Sequence, residues 1–272
     1  MALDQAEKGR RFQELHRRPG AFVIPNPWDA GSARVLAAMG FEALATTSAG
    51  FAFALGKPDG ATSRDELLDH LRLLSVATDL PLSADLEKCF GDDPRTVAET
   101  IRLAAEAGIV GGSVEDYSGD RRRPLYDFAH AVERVAAAVE AARALPFPFT
   151  LTARAENFLR GNPDLDDTIR RLQAFEKVGA DVLYAPFLPD IAAIRTVCSA
   201  VSKPVNVLAG RPNLPVAELA AAGVKRISLG GLLACAAFGG LLRAVREIKE
   251  AGTFTFAKDA ASSAELNKIF AA

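Results

Sequence analysis

Residues 80–116 read LPLSADLEKCFGDDPRTVAETIRLAAEAGIVGGSVED, an apolar run, an amphipathic run and a second apolar run. The two outer runs are largely apolar rather than alternating, which is typical of parallel strands that are covered on both faces. The middle run places apolar residues three and four positions apart, follows Asp93 and stops at Gly108. These are the signals of a capped helix. The stretch therefore predicts one strand–helix–strand unit.

The same alternation of a short apolar run and a longer amphipathic run recurs along the whole chain. The strand-like runs are residues 21–29, 41–50, 80–87, 109–116, 149–157, 180–187, 203–210 and 225–231. Eight such units in about 250 residues predict a (β/α)8 TIM barrel. An open doubly wound sheet is the alternative. A dinucleotide-binding form of that sheet is disfavoured because no GxGxxG motif follows the first strand.

No linker-like segment divides the chain, so residues 1–272 are predicted to form one domain, with 252–272 as a C-terminal appendix. The last long helical stretch, residues 229–248, has apolar residues on more than one face. A helix of that kind needs a second partner besides the barrel wall. Two partners are possible, which are the tail of the same chain (254–272) and another subunit.

The composition restricts the kind of protein. Of 272 residues, 49% are apolar and 24% charged, which is typical of a soluble globular protein. The net charge of −2 gives no basic excess for nucleic acid binding. The charged N-terminus does not resemble a signal peptide, and the uncharged run 227–242 is shorter than the roughly 20 residues of a membrane span. We expect a cytoplasmic protein that binds neither nucleic acid nor membrane.

Acidic residues mark the ends of the third and fourth predicted strands. Asp85 and Glu87 lie two positions apart and therefore face the same way, and Glu115 ends the next strand. Three converging carboxylates repel one another and favour a cation, and oxygen ligands favour Mg²⁺ or Mn²⁺. The alternative is a structural network in which Asp85 and Glu87 pair with Lys88 and Arg154.

Two further features at the strand ends suit an anionic substrate. Arg154 ends the fifth strand, where its guanidinium can hold a carboxylate in a bidentate fork. Its alternative role is a salt bridge to Glu87 or Glu115. The small-residue segment 48–50, Ser-Ala-Gly, follows the second strand and offers backbone N–H groups to an oxyanion. Such a segment is also common as a simple tight turn.

Five segments together resemble the isocitrate lyase/phosphoenolpyruvate mutase superfamily over nearly the whole chain. They are TTSAGFAFALGKPDG (46–60), SADLE (83–87), GGSVED (111–116), TARAEN (152–157) and KPVNVLAG (203–210). The resemblance implies a (β/α)8 barrel that uses Mg²⁺ and binds 2-oxo acids or their enolates. It also implies chemistry that cleaves or forms C–C or C–P bonds.

The same resemblance implies roles for individual residues. Asp85 matches the carboxylate nearest the metal, and Glu87 stands where the family usually has Asp. Glu115 and Asp59 match the rest of the metal shell. The residues that match substrate contacts are Thr47, Ser48, Ala49, Arg154 and Asn206. Members of the family exchange their eighth helix between subunits, which implies a homodimer or homotetramer here.

The loop after the fourth strand departs from the family pattern. Lyases of the family carry a Lys-Lys/Arg-Cys-Gly-His motif there, whereas residues 117–125 read YSGDRRRPL. The Lys-Thr-Asn-like run of the phosphonate enzymes is also absent. Cys89 follows the third strand instead, and we interpret it as non-catalytic. Arg121–Arg123 is predicted to be a cationic lid over the substrate. The three histidines, His16, His70 and His130, are predicted to be solvated on helix faces.

These observations predict a Mg²⁺-dependent lyase or decarboxylase that acts on a small 2-oxo or 2-hydroxy dicarboxylate through an enolate. The predicted catalytic residues are Arg154, Glu115 and Ser48. Decarboxylation of oxaloacetate needs no general base. Cleavage of a hydroxy acid does, and the candidates are Glu156, Tyr117 and Tyr184. The alternatives are C–P chemistry, as in phosphonopyruvate hydrolase or phosphoenolpyruvate mutase, and a catalytically silent 2-oxo acid binding protein.

Overall fold

The computed structural model describes residues 3–210 and 213–271, and its centre is one sheet of eight parallel strands. The strands are β1 Phe22–Ile24, β2 Leu44–Ala45, β3 Leu82–Asp85, β4 Gly111–Glu115, β5 Thr150–Arg154, β6 Val182–Tyr184, β7 Val205–Leu208 and β8 Arg226–Ser228. They pair in the order β1-β8-β7-β6-β5-β4-β3-β2. The Ala45 amide donates to the Pro25 carbonyl at 3.0 Å and joins the two outer strands. The predicted (β/α)8 barrel is confirmed.

Helices surround the barrel. They are α1 Gln5–Arg17, α2 Ala30–Ala38, α3 Ser48–Ala54, α4 Arg64–Ala77, α5 Pro94–Glu106, α6 Phe128–Arg143, α7 Leu165–Lys177, α8 Ile191–Ala200, α9 Val216–Ala221, α10 Leu232–Ala251 and α11 Ser263–Ala271. Side-chain caps fix several starts, such as Asp93 before α5 and Ser63 before α4. Each cap satisfies amides that have no partner inside the helix. None of the described helices has the length and apolarity needed to cross a membrane.

The first helix, α1, was not predicted, and it covers one end of the barrel. Phe12 is buried, and the Gln5 side chain donates to the carbonyls of Ala105 and Ile109. His16 on this helix is buried between the rings of Phe12 and Phe22. Burial, with the nearby Arg226 cation, lowers the pKa of His16 to about 3. The prediction that His16 is solvated is wrong.

His70 is also buried, on α4, and its ring stacks on Phe51 at a centroid distance of 3.9 Å. The prediction that it is solvated is wrong because α3 lies over this face of α4. His130 is partly exposed, and its Nε2 lies 2.9 Å from the Asp92 carbonyl oxygen.

The segment after β2 differs from the predicted strand end. β2 stops at Ala45, and residues 48–50 form the first turn of α3 rather than a tight turn of a strand. The Thr47 hydroxyl caps this helix by accepting the Gly50 amide at 3.2 Å. A Cβ on Gly50 would lie 2.7 Å from Thr47 Cγ2 and 3.0 Å from Trp28 Cβ. Glycine therefore allows α3 to sit directly against the end of β1.

α10 keeps most of its apolar surface outside the barrel. Ala234 is the one buried residue of this helix, and Leu232, Leu241 and Leu242 are 47%, 56% and 52% exposed. In the C-terminal appendix, a 3-10 turn at Thr255–Lys258 contacts α10, while α11 packs against α2. The tail therefore does not cover the apolar face of α10. Ala272, the last residue of the predicted appendix, lies outside the described residues.

Candidate active site

A small cavity of about 50 Å³ opens at the carboxyl ends of the strands, where TIM barrels carry their active sites. Residues from most of the strands contribute to its lining, among them Thr46, Asp85, Ser113, Arg154, Tyr184 and Asn206. Three of the residues predicted for the site, Asp85, Arg154 and Asn206, therefore face one space. A volume of this size accommodates one or two small polar groups, with the rest of a ligand at the open mouth.

Arg154 lies at the centre of a buried ionic cluster. Its guanidinium nitrogens lie 3.1 Å from Asp85, 3.3 Å from Glu115 and 2.8 Å from Glu156. Glu115 and Glu156 are both buried, so their charges need partners inside the protein. The salt bridge to Glu115 that was the alternative role of Arg154 is present, whereas Arg154 pairs with Asp85 and Glu156 and not with Glu87. The guanidinium thus organises three carboxylates around the cavity.

A second arginine, Arg160, completes this cluster and was not predicted. It lies 3.5 Å from Glu115 and 3.2 Å from Glu156, and its guanidinium stacks 3.6 Å above the Tyr117 ring centroid. Its position four residues after Glu156 was the available sequence signal. Burial, with the nearby Glu156 charge, raises the pKa of Glu115 well above its usual range. Two arginines therefore do not fully compensate the negative charge of this cluster.

Asp85 is fixed at the end of β3 from several sides. Its carboxylate accepts the Ser48 amide at 3.2 Å and the Ser113 hydroxyl at 3.4 Å, besides its contact with Arg154. Its own amide donates to Thr46 Oγ1 at 2.8 Å. Ser48, predicted to hold an oxyanion, thus directs its amide toward Asp85. The hydroxyls of Thr46 and Ser113 were not predicted, since isolated Thr and Ser in strands carry no distinctive signal.

Glu87 lies just beyond β3 and is half-buried, with a backbone φ of 50°. Within residues 3–210 and 213–271, no donor or cation is paired with its carboxylate. Burial, together with the negative charges of Asp85 and Asp59, raises the pKa of Glu87 to about 7. Asp59, on the exposed loop after α3, is therefore close enough to act on Glu87 electrostatically. A half-buried carboxylate with no ion-pair partner at this end of the barrel suits a cation.

The alternative structural network is realised only in part. Asp85 pairs with Arg154, whereas Lys88 pairs with Asp92 at 2.6 Å and does not reach Asp85 or Glu87. Among the described residues, no three His, Cys, Asp or Glu side chains are arranged as a complete metal site. The assignment of Asp85, Glu87, Glu115 and Asp59 to a metal stays a prediction, in which waters and substrate would supply further ligands.

Asn206 is buried one layer inside the barrel. Its amide donates to the Ser228 hydroxyl at 3.0 Å, and its carbonyl accepts from Arg226 Nε at 2.8 Å. Arg226 also donates to Thr152 Oγ1 at 2.9 Å. These bonds fix the Asn206 side chain at the floor of the cavity. Its contact with substrate stays a prediction.

The candidate general bases are all engaged. Glu156 is paired with two arginines, and Tyr117 packs under Arg160. Burial raises the pKa of Tyr184 to about 12, so this phenol keeps its proton at neutral pH. Tyr184 lies beside Arg154, whose guanidinium carbon is 5.0 Å from the ring centroid. Each of these three side chains therefore has a partner or a raised pKa that disfavours a role as general base.

The loop after β4 is pinned at its base. Tyr117 and Leu125 form an antiparallel bridge, and Lys88 Nζ donates to the Ser118 carbonyl at 2.9 Å. The predicted lid, Arg121–Arg123, is the exposed tip of this loop. Its three positive charges are therefore exposed, and their role as a lid stays a prediction.

Cys89 lies on the side of the β3 loop that faces the core. Its side chain is buried, and burial raises the pKa of the thiol to about 12. A catalytic thiol has a lowered pKa and some exposure. The environment of Cys89 therefore agrees with the interpretation that it is not catalytic.

Known proteins resemble this chain along most of its length. A crystal structure of a protein from Burkholderia cenocepacia J2315 is 60% identical, covers 98% of this chain and 97% of that one, and superposes with a TM-score of 0.96. An oxaloacetate decarboxylase from Bradyrhizobium diazoefficiens is 30% identical over 81% of this chain and 77% of its own. A 2-methylisocitrate lyase from Escherichia coli K12 is 29% identical over 72% and 68%.

The model of the phosphoenolpyruvate phosphomutase family matches residues 12–249. The match includes all eight strands and every residue of the ionic cluster around Arg154. Together with the lyase and decarboxylase relatives, this match confirms the predicted superfamily. It also confirms the prediction that the chain is an enzyme of the carbon–carbon lyase class. The chain belongs to the phosphoenolpyruvate phosphomutase family, within the isocitrate lyase/phosphoenolpyruvate mutase superfamily.

Proposed function

We propose that the protein is a Mg²⁺-dependent lyase or decarboxylase that acts on a small 2-oxo or 2-hydroxy dicarboxylate through an enolate. The observation that carries the proposal is that Asp85 and Arg154 face one cavity at the strand ends, inside a cluster with excess negative charge. Such a cluster suits a divalent cation, and the guanidinium suits a substrate carboxylate.

The chemistry of the candidate ligands suits a Mg²⁺ ion, with waters and substrate completing the coordination. The candidate ligands are all carboxylates, and Glu87 has no partner for its charge among the described residues. Mg²⁺ prefers oxygen ligands and keeps several waters, so Asp85 could bind it directly and Glu87, Glu115 and Asp59 through water. Mn²⁺ has similar preferences. When bound, the ion would stabilise negative charge on the enolate oxygen as a Lewis acid.

The protein itself would bind and orient the substrate. Arg154 would hold a carboxylate of the oxo acid, supported by Tyr184 beneath its guanidinium. Thr47, Ser48 and Ala49 would border the oxo-acid end, with Asn206 at the cavity floor. The exposed Arg121–Arg123 tip would approach the distal carboxylate and exclude water.

Decarboxylation is the reaction that this site favours first. Loss of CO₂ from a 2-oxo dicarboxylate such as oxaloacetate needs stabilisation of the enolate and no general base. Tyr184 keeps its proton because its pKa is about 12, so it can donate a proton or a hydrogen bond but is a poor base. Similarity to an oxaloacetate decarboxylase, at 30% identity over 81% of this chain, supports the same choice.

A panel of 2-oxo and 2-hydroxy dicarboxylates, assayed with Mg²⁺ and with EDTA, tests the proposal. We expect turnover of at least one of them, and loss of that turnover in EDTA. The rate of oxaloacetate consumption with protein and Mg²⁺ must exceed the rate with Mg²⁺ and no protein. Binding of a 2-oxo acid without turnover would instead support the silent binding protein. Release of phosphate from phosphonopyruvate would support C–P chemistry.

The buried position of Cys89 leads to a prediction about the thiol. We expect Cys89→Ser to retain kcat/KM within a few-fold, because this thiol is buried and its pKa is about 12. Initial rates with the best substrate of the panel measure the effect. A loss of about a hundredfold, equivalent to roughly 2.7 kcal/mol of transition-state stabilisation, would make Cys89 catalytic.

We also propose that α10, the eighth helix of the barrel, is exchanged onto a second copy of the chain, in a homodimer or in a homotetramer built from such dimers. A groove of about 490 Å³ between α3 and α10 is lined mainly by apolar side chains, among them Phe53, Phe238 and Leu242. Next to it, Leu241 and Val245 are at least half exposed. An apolar patch of this kind marks an interface. Since Ala234 is the one buried residue of α10, its own barrel covers little of this helix, as expected for a helix that packs on a second copy.

Substitution of α10 tests this assembly. We expect sedimentation at micromolar concentration to give a multiple of 28.8 kDa for the wild type. Leu241→Glu should shift the equilibrium toward the monomer, because it buries a charge in the interface. The control is Leu73→Glu, at an exposed apolar residue on α4. A monomeric wild type would contradict the proposal.

A further inference from the structure

The loop after β3 contains three residues with left-handed backbone angles, and a buried arginine binds its carbonyls. Glu87, Cys89 and Phe90 all have left-handed backbone angles, with φ of 50°, 59° and 59°. Residues with a side chain rarely adopt this region, because it brings Cβ close to the following carbonyl oxygen. Three of them in four positions persist only if the surrounding protein holds them.

Arg134 holds this loop from α6. Its Nη1 donates to the carbonyls of Gly91 and Asp92, both at 2.7 Å, and its Nη2 donates to the carbonyl of Lys88 at 2.6 Å. The side chain is buried, and within residues 3–210 and 213–271 it forms no ion pair with a carboxylate. Its charge is therefore directed at the loop carbonyls.

The surrounding residues keep the guanidinium in this place. Arg134 lies over the ring of Tyr126, with its guanidinium carbon 4.4 Å from the centroid. The Tyr126 hydroxyl donates to the Asp92 carboxylate at 2.6 Å and so binds the same loop. On the opposite side, Thr100 Oγ1 donates to the Cys89 carbonyl at 2.9 Å. His130 Nε2 also lies 2.9 Å from the Asp92 carbonyl oxygen, and the Glu115 amide donates to the Glu87 carbonyl at 3.1 Å. The loop backbone is thus bound from α5, α6 and β4, and Arg134 supplies three of these bonds.

We infer that Arg134 is a positioning residue for the candidate metal site. By holding the carbonyls of Lys88, Gly91 and Asp92, it would keep Glu87 in its left-handed conformation beside Asp85. Arg134 would not touch substrate or metal. The expected effect on metal affinity rests on the proposed function. The binding of the loop carbonyls by Arg134 does not depend on it.

Arg143 supplies a matched control on the same helix. It also donates to backbone carbonyls, those of Phe149 and Gly179 at 3.3 and 3.0 Å, and it pairs with Asp181. Phe149 and Asp181 directly precede β5 and β6, so Arg143 acts at the end of the barrel opposite to the site. Arg134→Met and Arg143→Met therefore remove the same kind of contact from opposite ends.

Hydrogen exchange of the metal-free full-length protein is the first experiment. We expect amides in residues 87–92 to exchange at least tenfold faster in Arg134→Met than in the wild type. In Arg143→Met, the exchange rates of these amides should equal those of the wild type. If Arg134→Met does not fold, Arg134→Lys takes its place, because lysine keeps the charge but bonds fewer carbonyls. Its expected effect is intermediate. Wild-type protection of the loop in a folded Arg134 variant would overturn the inference.

Mg²⁺ titration by calorimetry is the second experiment. We expect the dissociation constant to rise at least tenfold in Arg134→Met and less in Arg134→Lys, with no change in Arg143→Met. In turnover, the apparent KM for Mg²⁺ should rise while kcat at saturating Mg²⁺ stays within a few-fold. Equal Mg²⁺ affinity in the wild type and Arg134→Met would overturn the positioning role. A wild type that binds no Mg²⁺ would refute the proposed function. Hydrogen exchange would still show whether Arg134 holds the loop.

Discussion

Asp85→Asn is expected to lower kcat/KM by roughly a thousandfold, the range found when a group that acts on transition-state charge is removed. Asparagine keeps the size of the side chain and can still accept the Ser48 amide, but it removes the negative charge next to Arg154. The fold should remain intact, since the carboxylate lies at a strand end and contributes little packing. Asp85→Ala should abolish metal-dependent turnover.

The measurement combines initial rates over a range of Mg²⁺ concentrations with calorimetric titration of Mg²⁺. Circular dichroism and the denaturation midpoint establish that each variant is folded. Asp69→Asn is the control, because Asp69 is an exposed carboxylate on α4 that pairs with Arg72. If Asp85→Ala binds Mg²⁺ with the affinity of the wild type, the assignment of Asp85 to the metal site is wrong.

The sequence was sufficient to predict the barrel and the end at which its chemistry lies. Asp85, Glu115 and Arg154 each follow an apolar run, and parallel strands in a barrel direct all such ends to one face. That argument depends on alternation along a strand and on the order of elements, which are local properties of the chain. It therefore needs no knowledge of distant contacts.

The parts that were not predicted depend on contacts between distant segments. His16 appears as a polar position on a charged helix, and it is buried only because α1 closes one end of the barrel. Residues 48–50 form a helical turn because the Thr47 side chain caps it. Sequence also does not specify which carboxylate an arginine selects. Arg154 takes Asp85, Glu115 and Glu156 because their strand ends converge around it.

The same limitation applies to the two other arginines near the site. Arg160 contacts Glu115, which lies 45 positions away, and Arg134 contacts carbonyls more than 40 positions away. Arginine on an amphipathic helix usually indicates a solvated face, so nothing in the sequence distinguishes Arg134 from Arg143. The distinction appears only when burial and the hydrogen-bond partners are known.

Arg154→Met is expected to have the largest effect on stability. It leaves Glu115 and Glu156 buried with only Arg160 as a cation, and removal of one partner of a buried ion pair costs roughly 3–5 kcal/mol. Chemical denaturation in EDTA measures the loss. Activity should also disappear, because no other described cation lies in ion-pair distance of Asp85.

The cost of Arg154→Met should depend on pH in a defined direction. The pKa of Glu115 is already raised in the folded protein, and loss of the Arg154 charge raises it further. A carboxyl with a raised folded pKa binds its proton more tightly in the native state. The native state of the variant is therefore most favoured below the ordinary pKa of glutamate and loses stability as pH rises through the folded pKa.

Glu156→Gln in the same chain should recover part of the stability at neutral pH without recovering activity. A variant whose unfolding free energy equals that of the wild type at all pH values would show that Arg154 does not compensate these buried charges.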